Sequence, residues 1–371
     1  MVNFKNFEPS ISKKLFELCR EAVAEHASDI HLKPGYEPYI RDSDGKLRPL
    51  SHESKILKEE DVISFLGNLY GIESGSIRTT FDIDSKLPSA LRDFWKNEDG
   101  EADASASMVL ADGSSSSLRL NAYYSQDGVC LAIRILSNRV MSMDDIWLPP
   151  ALRELRHKPE GLILFCGATG SGKTTAMYSM LDAINHEDSK HIITLDDPIE
   201  IVLHGDKSII SQREVGVHTV SFDLALRSAL REDPDVLLVG EMRDKETIRI
   251  ALQAAETGHL VLSTIHASSV SELVDRILSY FSSEEAPQLR SALAASFLGM
   301  VACKLMPRKG GGRVSAFEVL LRTVATTAVI KEGNMMQIYD YMSQGQGMQT
   351  MGQAVEGLRL AHLIEDDGYG R

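Results

Sequence analysis

Long apolar runs are missing from this 371-residue sequence. No stretch approaches the roughly 20 apolar residues that span a bilayer. The first residues, MVNFKNFEPSISKK, also contain no apolar core of the kind that signal peptides carry. We therefore expect a soluble, cytoplasmic protein.

Cysteine is scarce, and its spacing excludes two further classes of protein. The four cysteines are Cys19, Cys130, Cys166 and Cys303, and no two of them stand at C-x-x-C spacing. Neither a zinc knuckle nor a disulfide framework is supported. We expect reduced thiols that pack as small apolar side chains.

Positive charge is in short supply as well. The chain has 39 Lys and Arg against 53 Asp and Glu, a formal net charge of -14 at pH 7. A protein that binds duplex nucleic acid needs a basic face, and one that binds single strands needs basic residues interleaved with aromatic ones. Neither pattern occurs, so we expect no nucleic-acid partner.

The first part of the chain, residues 1–137, has the pattern of a small α+β domain. One helical stripe is formed by Leu15, Leu18, Cys19 and Ala22. Residues 118–136 (LRLNAYYSQDGVCLAIRIL) predict two strands joined by a turn at Asp127–Gly128. The segment around 97–117 is rich in Ser, Gly and Asp, which is typical of a surface loop or of two strand tips.

A linker is expected at residues 138–150, followed by a second domain at 151–371. There the apolar segments GLILFC, HIITL, DVLLVG and HLVLSTIH have strand length and alternate with helical segments. Strands that are apolar on both faces predict a mostly parallel sheet covered by helices on each side. The last hundred or so residues are expected to be mostly helical.

The sharpest motif is GATGSGKT at residues 167–174, between a predicted strand and a predicted helix. This is a P-loop: its glycines let backbone N–H groups face phosphate oxygens, and the helix N-terminus adds partial positive charge. Lys173 is expected to reach the β- and γ-phosphates of ATP, and the Thr174 hydroxyl to bind Mg²⁺. The predicted nucleotide-binding residues are Gly167, Ala168, Thr169, Gly170, Ser171, Gly172, Lys173, Thr174 and Thr175.

Acidic residues follow two other predicted strands. DVLLVG ends in Gly240, where such strands usually carry a metal-binding Asp, so the next residue, Glu241, is expected to bind the metal or activate water. HIITL is followed by DDPIE, which contains Asp197 and Glu200. Taken alone, DDPIE is more typical of a helix N-terminus with proline at its first position. Beside a P-loop we interpret Asp197 and Glu200 as catalytic, and the sequence leaves open whether Glu200 or Glu241 activates water.

Two pairs of arginines allow more than one interpretation. Arg119 and Arg134 lie on adjacent predicted strands of the first domain. They are either ordinary sheet charges or fingers that reach a γ-phosphate across a domain or subunit boundary. Arg227 and Arg231 share one helix face, either as surface ion pairs or as phosphate sensors.

The motifs ASDIHL, GATGSGKT, DDPIE, LRSALREDPDVLLVGEMRDKET and ETGHLVLSTIHASS occur in this order. In this order they resemble the PilT/GspE superfamily of secretion ATPases over almost the whole chain. The resemblance implies an N-terminal PAS-like α+β domain joined to a C-terminal RecA-like P-loop ATPase domain. It further implies a homo-hexamer that associates peripherally with the inner membrane through a platform protein of a pilus or secretion machine.

The resemblance also implies roles by position. The residues in its functional boxes are Asp197 and Glu200 (Asp box), Gly240 and Glu241 (variant Walker B), His259 and His266 (His box), and Arg119 and Arg134 (arginines that approach the nucleotide). For His259 and His266, which bracket LVLSTI, spacing alone would not indicate catalysis.

Within the superfamily the chain is most similar to the retraction ATPases of type IV pili, through its short N-terminal region, its lack of a tetracysteine motif and the segments GGGRVSAFEVL and GMQTMGQAVEGL. It departs from them in TTAVIKEG (residues 326–333), in Asp196 as the first acid of the Asp box, and in the segment near 97–117. We expect a hexameric ATPase that powers pilus retraction and twitching. The alternative is a related ATPase of a type IVB (DotB-like) secretion or conjugation system.

Overall fold

The computed structural model describes residues 2–3, 12–25, 27–42, 46–50, 56–69, 101–109, 115–136 and 140–365. The chain divides into two compact units, Met1–Asn138 and Arg139–Arg371. Within the described ranges, no helix is both long and apolar enough to cross a bilayer.

In the described residues, the first unit is built on one mixed sheet with two helices. In chain order its elements are β1 (Val2–Asn3), α1 (Ser12–Ala24), β2 (Asp29–Leu32), β3 (Tyr39–Arg41), β4 (Leu47–Pro49), α2 (Glu59–Leu69), β5 (Glu101–Val109), β6 (Ser115–Ser125) and β7 (Gly128–Leu136). The strand order is β1-β5-β6-β7-β2-β3-β4, antiparallel except between β1 and β5. Cys19 and Ala22 of the predicted helical stripe are buried with Phe65, Ile30 and Ile133 in one apolar cluster.

The polar segment near 97–117 contains a full strand rather than a loop. All nine residues of β5 pair antiparallel with β6, from Glu101 opposite Tyr123 to Val109 opposite Ser115. Its sequence, EADASASMV, alternates polar and small apolar residues with the period of two that a strand requires. The high content of Ser, Gly and Asp in the segment led us to predict a loop or strand tips despite this alternation. Residues 97–100 and 110–114 lie outside the described part of the chain.

The hairpin predicted at 118–136 is present as β6 and β7. Ser125 pairs with Gly128, so the two turn residues are Gln126 and Asp127, one position earlier than predicted. Gly128 has a φ of +109°, a backbone conformation that glycine accommodates without strain.

The second unit has the α/β architecture that the sequence predicts. Its elements are α3 (Pro150–Arg153), a 3₁₀ turn (Glu154–His157), β8 (Gly161–Cys166), α4 (Lys173–Glu187), β9 (His191–Asp196), β10 (Ile209–Glu214), α5 (Phe222–Ala229), β11 (Val236–Val239), α6 (Lys245–Glu256), β12 (Leu260–Ile265), α7 (Val270–Ser279), α8 (Ala286–Ser296), β13 (Phe297–Pro307), β14 (Arg313–Leu321), α9 (Val324–Glu332), a 3₁₀ turn (Met335–Gln337), α10 (Ile338–Ser343) and α11 (Met351–Leu360).

The seven strands of this unit are ordered β10-β9-β11-β12-β8-β13-β14, and only β13 and β14 pair antiparallel. Alternate residues of β8 enter different apolar clusters: Leu162 and Leu164 in one, Ile163 and Phe165 in the other. The sheet is therefore covered on both faces, which explains why its central strands are apolar at every position. Part of the expected linker also joins this core, because Leu148 is only 1 % exposed.

The last hundred residues are not mostly helical throughout. Residues 297–321 form the long β13–β14 hairpin, which extends the parallel sheet by two strands. Gly310, Gly311 and Gly312 all have positive φ in the connection between these strands. Helices flank this hairpin, with α7 and α8 before it and α9, α10 and α11 after it, as the sequence leads us to expect.

Candidate functional site

The P-loop closes over the carboxyl end of β8. Gly167, Gly170 and Gly172 have φ values of +146°, +73° and +96°. A Cβ atom added at Gly167 would lie 2.4 Å from Ser171 Oγ and 2.6 Å from the Cys303 carbonyl oxygen, so only glycine fits there. Because the loop ends at the first residue of the 15-residue helix α4, its backbone N–H groups stand at a helix N-terminus.

The side chain of Lys173, the first residue of α4, folds back onto the loop. Its Nζ donates to the carbonyl oxygens of Gly167 at 2.9 Å and Ala168 at 3.0 Å. An ammonium has three donors, so one N–H is left for a phosphate oxygen. Burial lowers the pKa of Lys173, and the charges of Glu241 and Glu200 act in the opposite direction.

The loop satisfies what a bound phosphate needs. It offers positive-φ glycines, a helix N-terminus and a lysine that is only 9 % exposed. The buried hydroxyl of Ser171 has no hydrogen-bond partner among the described residues. Each of these features favours an anion. By contrast, no group of three or more His, Cys, Asp or Glu side chains in the described ranges could hold a metal ion by itself.

Three of the predicted site residues meet at the carboxyl edge of the sheet. His266 Nε2 lies 3.2 Å from Glu241 Oε1. Arg243 donates from Nε to Glu241 Oε2 at 2.8 Å and from Nη1 to Asp197 Oδ2 at 3.1 Å. We call Asp197, Glu241, Arg243 and His266 the acid cluster.

Strand order explains why these residues meet. β9 pairs with β11, β11 with β12 and β12 with β8, all parallel. Their carboxyl ends therefore lie side by side, in the crevice where α/β sheets bind ligands. Asp197 follows β9, Glu241 lies just past β11, His266 follows β12, and the P-loop follows β8.

Glu200 lies on the connection between β9 and β10, and its side chain is exposed. Its charge raises the pKa of Lys173 against the larger effect of burial, which places it within electrostatic range of the ammonium. No helix starts in DDPIE, so its interpretation as a helix N-terminus does not hold.

Arg227, one of the two arginines predicted to share a helix face, forms a surface ion pair with Glu246.

The structure does not bring His259 to the acid cluster. His259 stands before the amino end of β12, whereas His266 follows its carboxyl end. Its Nδ1 lies 3.0 Å from the Ala254 carbonyl oxygen, at the end of α6. A catalytic role for His259 stays a prediction, and its own P-loop lies at the opposite edge of the sheet.

Arg119 and Arg134 stand directly opposite each other on β6 and β7. Arg134 Nε donates to Asp29 Oδ1 at 2.9 Å, and both arginines are exposed. They belong to the first unit, and their approach to a nucleotide stays a prediction.

Sequence reasoning left two residues of the site without a role: Arg243 was not singled out, and Asp196 was named only as the first acid of the Asp box. Arg243 stands two residues after Glu241 within GEMRD, and its position in the motif was the available signal. The other is Asp196, which is 5 % exposed and accepts hydrogen bonds from Tyr178 Oη at 2.8 Å and Thr194 Oγ1 at 2.7 Å. Burial raises the pKa of Asp196 to about 7, although both hydrogen bonds lower it.

The backbone of the neighbouring strand β9 leaves little room for a side chain at position 240, where the usual acid is a glycine. A Cβ atom added at Gly240 would lie 3.1 Å from the Leu195 carbonyl oxygen and 3.5 Å from Asp196 Oδ1. The Leu195 carbonyl oxygen is therefore the close contact, and the Asp196 carboxylate lies at an ordinary van der Waals distance.

A cavity of about 350 Å³ opens at the end of the β13–β14 hairpin, lined by apolar residues including Leu305 and Met306 and by cations including Lys304 and Arg308. Leu305, one of its lining residues, also lies near the P-loop, with Cδ2 3.7 Å from the position of a Cβ atom on Gly172. The site thus combines an anion-binding loop and an acid cluster.

A parallel sheet with a P-loop after one strand and acids after its neighbours defines a P-loop nucleoside triphosphatase. The chain matches the family described as "Type II/IV secretion system protein" over residues 100–309, and it belongs to this family. It is 36 % identical over 356 residues to the "Type IV pilus retractation ATPase PilT" of Pseudomonas aeruginosa, covering 94 % of each chain. It is 41 % identical over 256 residues to a "Twitching motility protein" of Neisseria gonorrhoeae, covering 68 % of each chain.

A solved structure has the same fold over nearly the whole chain. The crystal structure of the pilus retraction motor PilT with bound ADP superposes with a TM-score of 0.80, at 37 % identity and 95 % coverage of both chains. The resemblance and the two-part α/β fold class predicted from the motifs are confirmed. The chain is an ATP-hydrolysing enzyme with a nucleotide-binding P-loop.

Proposed function

We propose that this chain is a motor subunit that hydrolyses ATP to power the retraction of type IV pili, and thereby twitching. The observation that carries the proposal is a P-loop that holds Lys173 together with an acid cluster at the neighbouring strand ends, in a chain that matches a retraction ATPase over 94 % of its length. The alternative role in secretion or conjugation is less favoured, because relatives matched at this coverage and identity carry names of pilus retraction and twitching.

The triphosphate is held by residues 167–175 in this proposal. Backbone N–H groups of the loop and the remaining N–H of Lys173 bind its oxygens, and the hydroxyl of Thr174 contributes to the Mg²⁺ site. Bound Mg²⁺ neutralises charge on the β- and γ-phosphates. Since the described residues hold no ready-made cluster for a metal, the ion is expected to arrive with the nucleotide.

Glu241 is the residue that we assign to the attacking water. Its side chain is 17 % exposed, and both carboxylate oxygens have a partner, His266 on one and Arg243 on the other. A carboxylate held in this way has a fixed orientation, as a general base needs. We assign Glu200, whose charge also acts on Lys173, to the binding of the metal. Its carboxylate would contact the attacking water on the side opposite Glu241.

The active assembly in this proposal is a homo-hexamer. Arg119 and Arg134 then supply positive charge to a nucleotide at a domain or subunit boundary, so that hydrolysis depends on assembly. His259, at the far edge of its own sheet, acts at such a boundary rather than at its own P-loop. Residues 1–137 form the PAS-like domain, 138–150 the linker and 151–371 the ATPase domain.

The partner of the ring is a platform protein at the cytoplasmic face of the inner membrane, through which the motor associates with the membrane peripherally. A clean deletion in the native host, scored for surface pili and for twitching, tests the function. Abundant but immobile pili are expected, with movement restored by the wild-type chain and not by Lys173→Ala. Normal motile pili combined with a defect in protein or DNA export would move the assignment to a secretion ATPase.

A further inference from the structure

A series of side-chain hydrogen bonds links three elements of the second unit near the proposed water-activating residues. It joins three elements: Tyr178 lies on α4, behind the P-loop, Asp196 ends β9, and Gln212 lies on the edge strand β10. None of the functional boxes contains Tyr178 or Gln212.

The first contact ties the P-loop helix to β9. Tyr178 Oη donates to Asp196 Oδ2 at 2.8 Å, and Thr194 Oγ1 donates to the same oxygen at 2.7 Å. Tyr178 and Thr194 are fully buried and Asp196 is 5 % exposed. Buried polar groups of this kind are costly unless each has a partner, so the contact specifies the position of both elements.

The second contact continues to β10. Gln212 Nε2 donates to Tyr178 Oη at 3.3 Å, so the hydroxyl accepts one hydrogen bond while it donates another. The amide of Gln212 is then used in full: Nε2 also donates to the Ile201 carbonyl oxygen at 2.9 Å, and Oε1 accepts from the Leu203 N–H at 2.7 Å. Gln212 thereby fixes the backbone immediately after Glu200.

A separate contact fixes the backbone before Glu200. Ile199 N–H donates to Glu214 Oε2 at 3.1 Å. Gln212 and Glu214 are two residues apart on β10, so their side chains leave the same face of the strand. Glu200 is exposed and lies between two backbone positions that β10 holds.

We propose that Tyr178 and Gln212 are positioning residues that hold the carboxylate of Glu200 at the phosphate site, with Asp196 as the buried anchor of this link. The inference rests on the proposed function, because it requires Glu200 to take part in ATP hydrolysis. The side chain of Glu200 makes no hydrogen bond or ion pair with the described residues, so its position depends on the backbone on either side. A small displacement of a reacting group is enough to slow an enzyme strongly.

Tyr178→Phe and Gln212→Met test the link. The first removes only the hydroxyl, and the second keeps the size of the side chain but none of its hydrogen bonds. Ser179→Ala is the matched control, since Ser179 is a neighbouring buried hydroxyl on α4 that bonds only to Ala176 within the helix, at 2.8 Å. Melting temperatures of all variants establish that they are folded.

Two readouts are measured on the full-length protein. In steady-state phosphate release, kcat is expected to fall by about tenfold in Gln212→Met and somewhat less in Tyr178→Phe, with KM for ATP within about twofold of wild type. In amide hydrogen exchange, the N–H of Leu203 is expected to exchange faster in both variants. The Ile199 N–H, bonded to Glu214, is expected to keep its protection, and Ser179→Ala to change neither readout.

Unchanged kcat in both variants, or a fall in kcat without faster exchange at Leu203, overturns the proposal. A variant that no longer folds is replaced by Gln212→Glu, which keeps the acceptor for Leu203 N–H but loses the donors to Ile201 and Tyr178; full activity in it also overturns the link. Failure of the proposed function has a different signature. The wild-type chain would then release phosphate without powering pilus movement, while the exchange at Leu203 would still report whether the link exists.

Discussion

Arg243 donates from Nε to Glu241 Oε2 at 2.8 Å, two residues along the same chain. The same guanidinium reaches Asp197, so one cation joins acids from two neighbouring strand ends. Glu241 raises the pKa of Arg243 mainly through this hydrogen bond, which keeps the guanidinium charged. The acid that we assign to the attacking water is thus oriented by a residue outside the usual set of nucleotide-binding groups.

Replacing Arg243→Gln should separate orientation from binding. Glu241 keeps its contact with His266 but loses the guanidinium, so we expect phosphate release to slow by about tenfold while nucleotide affinity changes little. Binding of a fluorescent nucleotide and steady-state turnover measure the two effects. Arg249→Gln is the control, because Arg249 has a similar exposure and pairs with Glu246 and Glu285 on the surface. Turnover equal to wild type in Arg243→Gln would show that the contact is incidental.

The two central assignments make opposite predictions for binding. Lys173→Ala removes the cation that the loop holds, so both nucleotide binding and turnover should be lost. Glu241→Gln keeps the shape of the side chain and removes its basicity, so binding should persist while turnover falls by at least about 100-fold. Calorimetric titration with ATP, together with phosphate release, distinguishes the two variants. If Glu241→Gln also abolishes binding, Glu241 is structural, and Glu200 becomes the candidate for the water.

Features that depend on residues close together in the sequence could be predicted from it, whereas most features that depend on distant residues could not. The P-loop and the apolar strands β8, β11 and β12 were predictable, because a motif or a run of residues is local. The meeting of Glu241 with His266 was also within reach, since the carboxyl ends of parallel strands lie side by side. The alternation of polar and apolar residues in β5 was visible in the sequence, but its many serines and alanines made the segment resemble a loop.

The remaining features depend on neighbours that are distant in sequence. Arg243 has a long side chain with several acids in reach, and only the folded chain shows that it joins Glu241 and Asp197. Buried Asp196 bonds to Tyr178 of α4, and the room at position 240 is limited by the Leu195 carbonyl oxygen of the neighbouring strand. The β13–β14 hairpin was missed because its strands are as apolar as buried helices.

Gly240 gives a prediction that runs against the usual pattern of P-loop enzymes. Gly240→Asp introduces the acid that commonly ends such a strand, yet its Cβ would lie 3.1 Å from the Leu195 carbonyl oxygen and its carboxylate beside Asp196. We expect a loss of about 1–3 kcal/mol in the free energy of unfolding, from overpacking and from like charges. Urea unfolding measures the loss. Gly240→Ala, which adds the same Cβ without a charge, should be less destabilised, and a Gly240→Asp chain as stable as wild type would contradict the steric explanation.

Asp196 should make the stability of the protein depend on pH in a defined window. Burial raises the pKa of Asp196 from 3.8 to about 7 in the folded chain, so the folded state binds a proton more tightly than the unfolded state does between these values. Stability is then lost as pH rises through this window, with a slope of up to ~1.4 kcal/mol per pH unit from this group. Asp196→Asn keeps oxygen acceptors for Tyr178 and Thr194 but does not titrate. Its melting temperature relative to wild type should therefore increase from pH 5 to pH 8, whereas a difference that stays constant with pH would show that Asp196 is ionised throughout.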